Sequence, residues 1–446
     1  MGTKMKVFTT VFNNGKKEKT IKEYELVREE KGVENSVVDL FPELEYQRWI
    51  GFGGAITDAA GYVYTKLSDQ DKKKVIDLYY GEDGNRYKMV RSHIDSCDFS
   101  VDMYCAMNDP EDRDMKSFSL ERDEKYILPL MKDAQDKVGQ GFDIMLTPWS
   151  PPAFMKTNNS RTHGGKLKPE YHQFWADYFC RYIKEYEKRG FKVNRITIQN
   201  EPLAVQTWDS CIFTPEEEKA FMKDYLYPTL VKNGLGDVKI NIWDHNKERM
   251  VEWGQIIIDE ETDKMVDGIA FHWYSGDHFE SIDICRQLFP NKELIFTESC
   301  IEYSRFDTDE LRNARMYAHD IIGDMNGGMT AFIDWNILLD KQGGPNHVGN
   351  FCDAPIMVDT ETGEYVTKLS FDYIGHFSKY IEKDARRIGF SKPNKDIEIT
   401  AFKNPDGSIV TVLLNPTDRE MPIHIRINGD IVSFVVPGDA IATAII

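Results

Sequence analysis

Between Trp49 and Trp335 short apolar runs rich in β-branched and aromatic residues alternate with longer stretches of helical period. The runs are Trp49 to Ile56, Tyr87 to Ile94, Phe142 to Trp149, Arg195 to Asn200, Lys239 to Trp243, Gly268 to Tyr274, Glu293 to Glu298 and Met329 to Trp335. Helix starts between them are marked by Ser68-Asp69-Gln70-Asp71 and by Thr214-Pro215-Glu216-Glu217, and Gly190 closes a helix over Pro169 to Arg189. A second helix is predicted over Pro215 to Asn233. Eight strands separated by helices predict a closed parallel (β/α)8 TIM barrel, an α/β fold. The rival, an open doubly wound sheet, would need a G-x-G-x-x-G turn leading into a helix. Gly51-Phe52-Gly53-Gly54 has neither that spacing nor that helix.

Outside this span the pattern alternates with period two. Lys6 to Phe12, a turn at Asn13-Asn14-Gly15 and Thr20 to Val27 predict a hairpin. Ile397 to Phe402, Ile409 to Leu414, Ile423 to Ile427 and Ile431 to Val436, separated by Asn404-Pro405-Asp406-Gly407 and Asn428-Gly429, predict antiparallel strands. Both ends are expected to meet in one side β-sandwich, so that residues 1–44 and 386–446 flank a barrel at 45–385.

Composition narrows the partners. The 446 residues are 41% hydrophobic and 29% charged, the profile of a globular chain, with a net charge of −19. That charge repels phosphate backbones and anionic lipid, which leaves a neutral substrate as the expected partner, with no nucleic acid and no stable membrane insertion. Seven widely spaced cysteines without a Cys-x-x-Cys pair indicate neither a disulfide framework nor a thiolate zinc site. Residues 1–20 contain no apolar core followed by a small-residue cleavage site, so no secretory signal is read and reduced thiols in a cytoplasm are expected. The oligomeric state is left open.

The chemistry is expected at the C-terminal ends of the strands. Asn200 and Glu201 close the fourth strand, His272 and Tyr274 the sixth, Glu298 the seventh, and Asp334, Trp335 and Asn336 the eighth. Arg91 and Asp98 flank the second end and Trp149 closes the third; all are expected to face one bowl. Taken singly, a Glu at a strand end is a solvated charge. Two facing each other among Trp, Tyr, Asn and His suit glycosidic cleavage, one protonating the leaving oxygen while the other meets the anomeric carbon. His245, His272 and His278 raise a metal reading, but no H-x-H or H-E-x-x-H accompanies them, and neither metal nor cofactor is expected. A carbohydrate-binding protein on a retired barrel is the non-catalytic rival, disfavoured by the presence of both Glu201 and Glu298.

Several motifs together resemble family 30 glycoside hydrolases, nearest the glucosylceramidase and β-glucosidase branch. They are Gly51 to Ala59, Ser96-Cys97-Asp98-Phe99-Ser100, Pro148-Trp149-Ser150-Pro151-Pro152, Asn200-Glu201-Pro202, His272-Trp273-Tyr274, Phe296-Thr297-Glu298, Asp334-Trp335-Asn336 and Gly343 through Asn350. The resemblance implies a retaining β-glycosidase acting on a terminal β-linked glucose, with a neutral carbohydrate, glycoside or glycolipid as its substrate and β-xylosidase or endo-β-1,6-glucanase activity as the alternative. It implies Glu298 as nucleophile, Glu201 as acid/base, and Asn200 on the sugar 2-hydroxyl. Asp98, Trp149 and Trp335 would surround the ring, with Arg91, His272, Tyr274 and Asn350 as further binding residues. A raised pKa is expected for Glu201 and an ionised Glu298. His347 stands where that branch is expected to carry Trp, which puts ceramide as the aglycone in question.

Overall fold

The computed structural model describes residues 3–446. Eight parallel strands close into a barrel: β1 (Gly51–Ala55), β2 (Met89–Ile94), β3 (Asp143–Pro148), β4 (Val193–Thr197), β5 (Lys239–Asn246), β6 (Gly268–His272), β7 (Glu293–Glu298) and β8 (Ala331–Asn336), with β8 hydrogen-bonded to β1. All eight sequence runs coincide with strands. In β1 a Cβ on Gly53 would run into the Met89 carbonyl and one on Gly54 into the Ile337 side chain, so this glycine run serves close strand packing.

The strand pleat decides what fills the barrel. Met89, Met145, Ile295, Ala331 and Ile333 form a buried apolar layer at one level. Because side chains on one face recur every second residue, the next inward layer of β2, β3 and β7 is Arg91, Thr147 and Thr297, all buried. A polar layer therefore sits on an apolar plug, directly under the C-terminal mouth.

The predicted helix caps are present. Ser68 Oγ accepts from the Asp71 amide, and Thr214 and Glu217 form a reciprocal capping box. The helix begun at Pro169 opens as a 3-10 turn and continues as α-helix over His172–Lys188. The segment after Pro215 widens at Met222–Leu226 before resuming at Tyr227–Lys232. Pro228 has no N–H to return to the Asp224 carbonyl, which accounts for the wider turn.

The terminal segments share one sheet: strand Lys4–Asn13 lies between Lys16–Glu25 and Ala440–Ile445, and Val37–Arg48 pairs with Arg386–Ser391. Asn14 and Gly15, and Asn428 and Gly429, carry positive φ (47° and 73°, 52° and 82°), the paired left-handed residues of a two-residue hairpin turn. The sandwich has its own apolar core and meets the barrel through helices Glu310–Gly327 and Leu369–Ser378, where buried His376 bridges Thr10 and Thr443. No helix among the described residues is long and apolar enough to cross a membrane.

Candidate active site

A cavity of about 290 Å3 opens at the C-terminal mouth of the barrel. Its buried floor is made by Asp98, Phe99, Trp149, Asn200, Glu298 and Trp335. Glu201, Trp208, His245, Tyr274 and Asn350 are half-buried around it, and Arg305 is exposed at the edge. Trp149 and Trp335 stack with ring centroids 5.3 Å apart, and Phe99 meets Trp335 edge-on. Asn350 donates to Asp98 over 3.3 Å. Burial, with the Glu298 charge added, raises the Asp98 carboxyl well above its ordinary value.

Glu201 lies beyond the end of β4. Its backbone is left-handed (φ 46°), a conformation costing on the order of 1 kcal/mol or more for a side-chain-bearing residue. The turn is held by a 2.9 Å hydrogen bond from its amide to the Asp244 carbonyl. A carboxylate oxygen of Glu201, one of Glu298 and a ring nitrogen of His272 all lie within 4.8 Å of one another. This is the single cluster among the described residues compact enough to ligate an ion, and each member already has protein partners.

Arg91 sets the polar layer beneath. Fully buried, it donates to Glu298 Oε2 (2.8 Å), Asn200 Oδ1 (2.8 Å) and Asp244 Oδ2 (2.9 Å). Tyr274 donates to the other Glu298 oxygen at 2.9 Å. His272 is buried too, with Nδ1 3.2 Å from Glu201 Oε1 and Nε2 3.0 Å from Asp244 Oδ1. The expectation that Arg91 and His272 face substrate is therefore corrected. Both lie behind the wall, Arg91 holding Glu298 and Asn200, and His272 holding Glu201. Asp334 and Asn336 do not line the bowl either; Asp334 accepts from Ser299 and Tyr317, and Asn336 from Thr57. His347 turns from the cavity, its ring 3.1 Å from the Ser100 carbonyl. Asp98, Trp149, Asn200, Tyr274, Trp335 and Asn350 do line it.

The residue that the sequence reading missed is Asp244. It takes hydrogen bonds from Arg91, His272, Thr197 (2.7 Å) and Thr297 (2.6 Å). Burial opposes its charge, yet Arg91 and the other donors hold its carboxyl well below the ordinary range. The available signal was the polar cluster Asp244-His245-Asn246 after an apolar strand, the design used to find Glu201 and Glu298. Asp244→Asn is expected to lower unfolding stability by about 3–5 kcal/mol, since Arg91 and His272 would lose a buried counter-charge. Urea unfolding checks this, and a change below about 1 kcal/mol would mean that Asp244 does not hold the layer together.

The unliganded electrostatics differ from the expected split. Burial raises Glu298, and the Glu201 charge adds to it, against the pull of His272 and Arg91. Burial acts on Glu201 as well, but His245 and His272 outweigh it and hold that carboxyl low. His272, despite its burial, is raised to about 9 by Glu298, Asp244 and Glu201. The proton thus rests on His272, one hydrogen bond away from Glu201. Arg91 and Tyr274, both donors, favour the ionised form of Glu298.

A closed parallel barrel with two carboxyls across its C-terminal mouth, floored by stacked indoles, is the architecture of a glycoside hydrolase. The chain matches the glycosyl hydrolase family 30 TIM-barrel domain over residues 49–381 and the family 30 beta sandwich domain over 384–444, and it belongs to that family. It is 33% identical over 408 residues to the lysosomal acid glucosylceramidase of Mus musculus, covering 87% of this chain and 79% of that one. It is 25% identical over 420 residues to an endo-1,6-beta-D-glucanase of Trichoderma harzianum, covering 89% and 84%. Among solved structures, SrfJ from Salmonella typhimurium superposes with a TM-score of 0.96 at 35% identity, covering 100% of this chain and 99% of that one.

Proposed function

We propose that this glycoside hydrolase is a retaining exo-β-glucosidase that removes a terminal β-linked glucose by double displacement. The observation that carries the retaining reading is that one carboxylate oxygen of Glu201 lies within 4.8 Å of one of Glu298. Retention uses carboxyl groups about 5–5.5 Å apart, whereas inversion needs about 6.5–9.5 Å to admit a water. Glu298 attacks the anomeric carbon while Glu201 protonates the departing oxygen. Glu201 then draws a proton from the water that releases the sugar.

Asn200 supports the same assignment. Arg91 occupies its amide oxygen, which leaves the Asn200 amide N–H2 as a donor for a sugar hydroxyl beside the anomeric carbon. The size of the cavity, at the small end of the roughly 300–1,000 Å3 usual for ligand pockets, favours a terminal ring over a long polymer groove. A glucosylceramidase among the relatives points toward glucose.

Nitrophenyl β-glucoside, β-xyloside and a β-1,6-linked glucan, with the released anomer followed by proton NMR, test this reading. Turnover of the glucoside with β-glucose appearing first is expected. An α-anomer as first product would overturn retention, and hydrolysis confined to internal β-1,6 bonds would replace the exo reading with the endo one.

A further inference from the structure

Two thiols meet in the wall of the cavity. Cys300 lines it, and Cys352 lies fully buried behind, with the sulfurs 3.3 Å apart. All seven cysteines are free, and this is the pair whose sulfurs touch. The backbone fixes the approach: Tyr303 donates to the Phe351 carbonyl (3.0 Å), Asp353 to that of Ile301 (2.8 Å), and Cys352 to that of Gly343 (3.0 Å). The segment after β7 is thus laced to the loop after β8 on both sides of Cys352 and directly after Cys300.

Cys300 Sγ also lies 3.3 Å from the Tyr274 hydroxyl, which donates to Glu298. The Cys300 thiol donates to the Cys352 sulfur, and the Tyr274 hydroxyl oxygen rests against the Cys300 sulfur on its other side. A chain of contacts therefore runs from Cys352 through Cys300 and Tyr274 to the carboxylate.

We propose that Cys300 and Cys352 are a redox-responsive pair that closes to a disulfide in the cavity wall and slows the enzyme until it is reduced. The oxidant is hydrogen peroxide, small enough to reach Cys300 through the cavity. The Cys300 sulfur attacks one peroxide oxygen, the O–O bond breaks, and a sulfenic acid and one water result. Cys352 then attacks the Cys300 sulfur, the S–S bond forms, the S–O bond breaks, and a second water leaves with the remaining thiol hydrogen. Two electrons pass from the sulfurs to peroxide. Closing the contact to about 2.05 Å draws the Cys300 sulfur toward Cys352 and away from its 3.3 Å contact with the Tyr274 hydroxyl, which loses that support. Displacement of a group that orients the nucleophile by about 1 Å is enough to cost tenfold or more. The Cys300 contact, with burial added, raises the Cys352 thiol, and burial raises that of Cys300 against the pull of Cys352, which makes the reaction slow.

The intact protein is incubated with hydrogen peroxide and digested without reduction for mass spectrometry, alongside kcat/KM on an aryl β-glucoside. A linked Cys300–Cys352 peptide lighter by two hydrogens is expected, with kcat/KM falling at least about tenfold in proportion to it and returning with dithiothreitol. Cys352→Ala is expected to keep the untreated rate and yield no linked peptide. Absence of the linked peptide from treated, still-folded protein would overturn the proposal. So would a Cys352→Ala enzyme that loses activity as fast and as reversibly as the wild type. The activity arm rests on the glucosidase reading and the peptide map does not, so each fails separately.

Discussion

Glu298→Gln is expected to lower turnover of an aryl β-glucoside by at least about 10^4-fold, the scale on which removing a member of a nucleophilic constellation acts. An activated phenolate leaving group should not rescue it, because the missing step is formation of the bond to the anomeric carbon. The substitution keeps shape and hydrogen-bonding capacity: the amide oxygen can still accept from Arg91 or Tyr274, and Arg91 retains Asp244 as its counter-charge. Thermal unfolding should therefore shift by only a few degrees. Mass spectrometry of the wild-type enzyme with a 2-fluoroglucoside bearing a good leaving group should find one added sugar on the peptide containing Glu298. Residual activity above about 1% of wild type, or label on another residue, would remove Glu298 from the role.

The barrel could be read from the chain because its strands, buried on both faces, stand out as short continuous apolar runs, and the eight runs need no long-range information to be counted. The ends of those strands were less legible. Sequence placed Glu201 at the close of β4, whereas the ladder stops at Thr197 and the chain reaches Glu201 through a turn pinned by Asn200 N–H to the Pro148 carbonyl (2.9 Å). β5 was cut at Trp243, and its continuation hid Asp244. Trp243 and Asp244 both have positive φ (74° and 58°), which bends the strand just where its apolar run gives way to polar residues.

Arg91 and His272 show a different limit. A charged residue near a strand end is ordinarily assigned to the surface. Here each is taken out of solvent by carboxylates that arrive from β5, β7 and the turn after β4, partners remote from it in sequence. Composition and spacing identified which residues gather at the mouth. Which of them touch substrate, and which act through a neighbour, depends on pairing across the barrel.

Glu201→Gln is expected to divide substrates by leaving group. With an alkyl glucoside, whose alkoxide cannot depart unprotonated, kcat/KM should fall by about 10^2–10^4-fold, the usual contribution of a general acid. With a dinitrophenyl glucoside the first step should be nearly unaffected, since that phenolate leaves without a proton. Loss of the base for the second step should then make the glycosyl-enzyme accumulate, visible as a burst of phenolate followed by a slow steady rate. Under the proposed assignment, the proton that Glu201 delivers is the one held on His272, passed across the 3.2 Å contact between Nδ1 and Oε1. His272 keeps it below about 9 and loses it above. Activity on alkyl glucosides should therefore decline as pH rises through that value, while dinitrophenyl glucosides decline less, since their glycosylation step needs no proton. Equal losses on both substrates, in Glu201→Gln or along the alkaline limb, would show that Glu201 is not the acid.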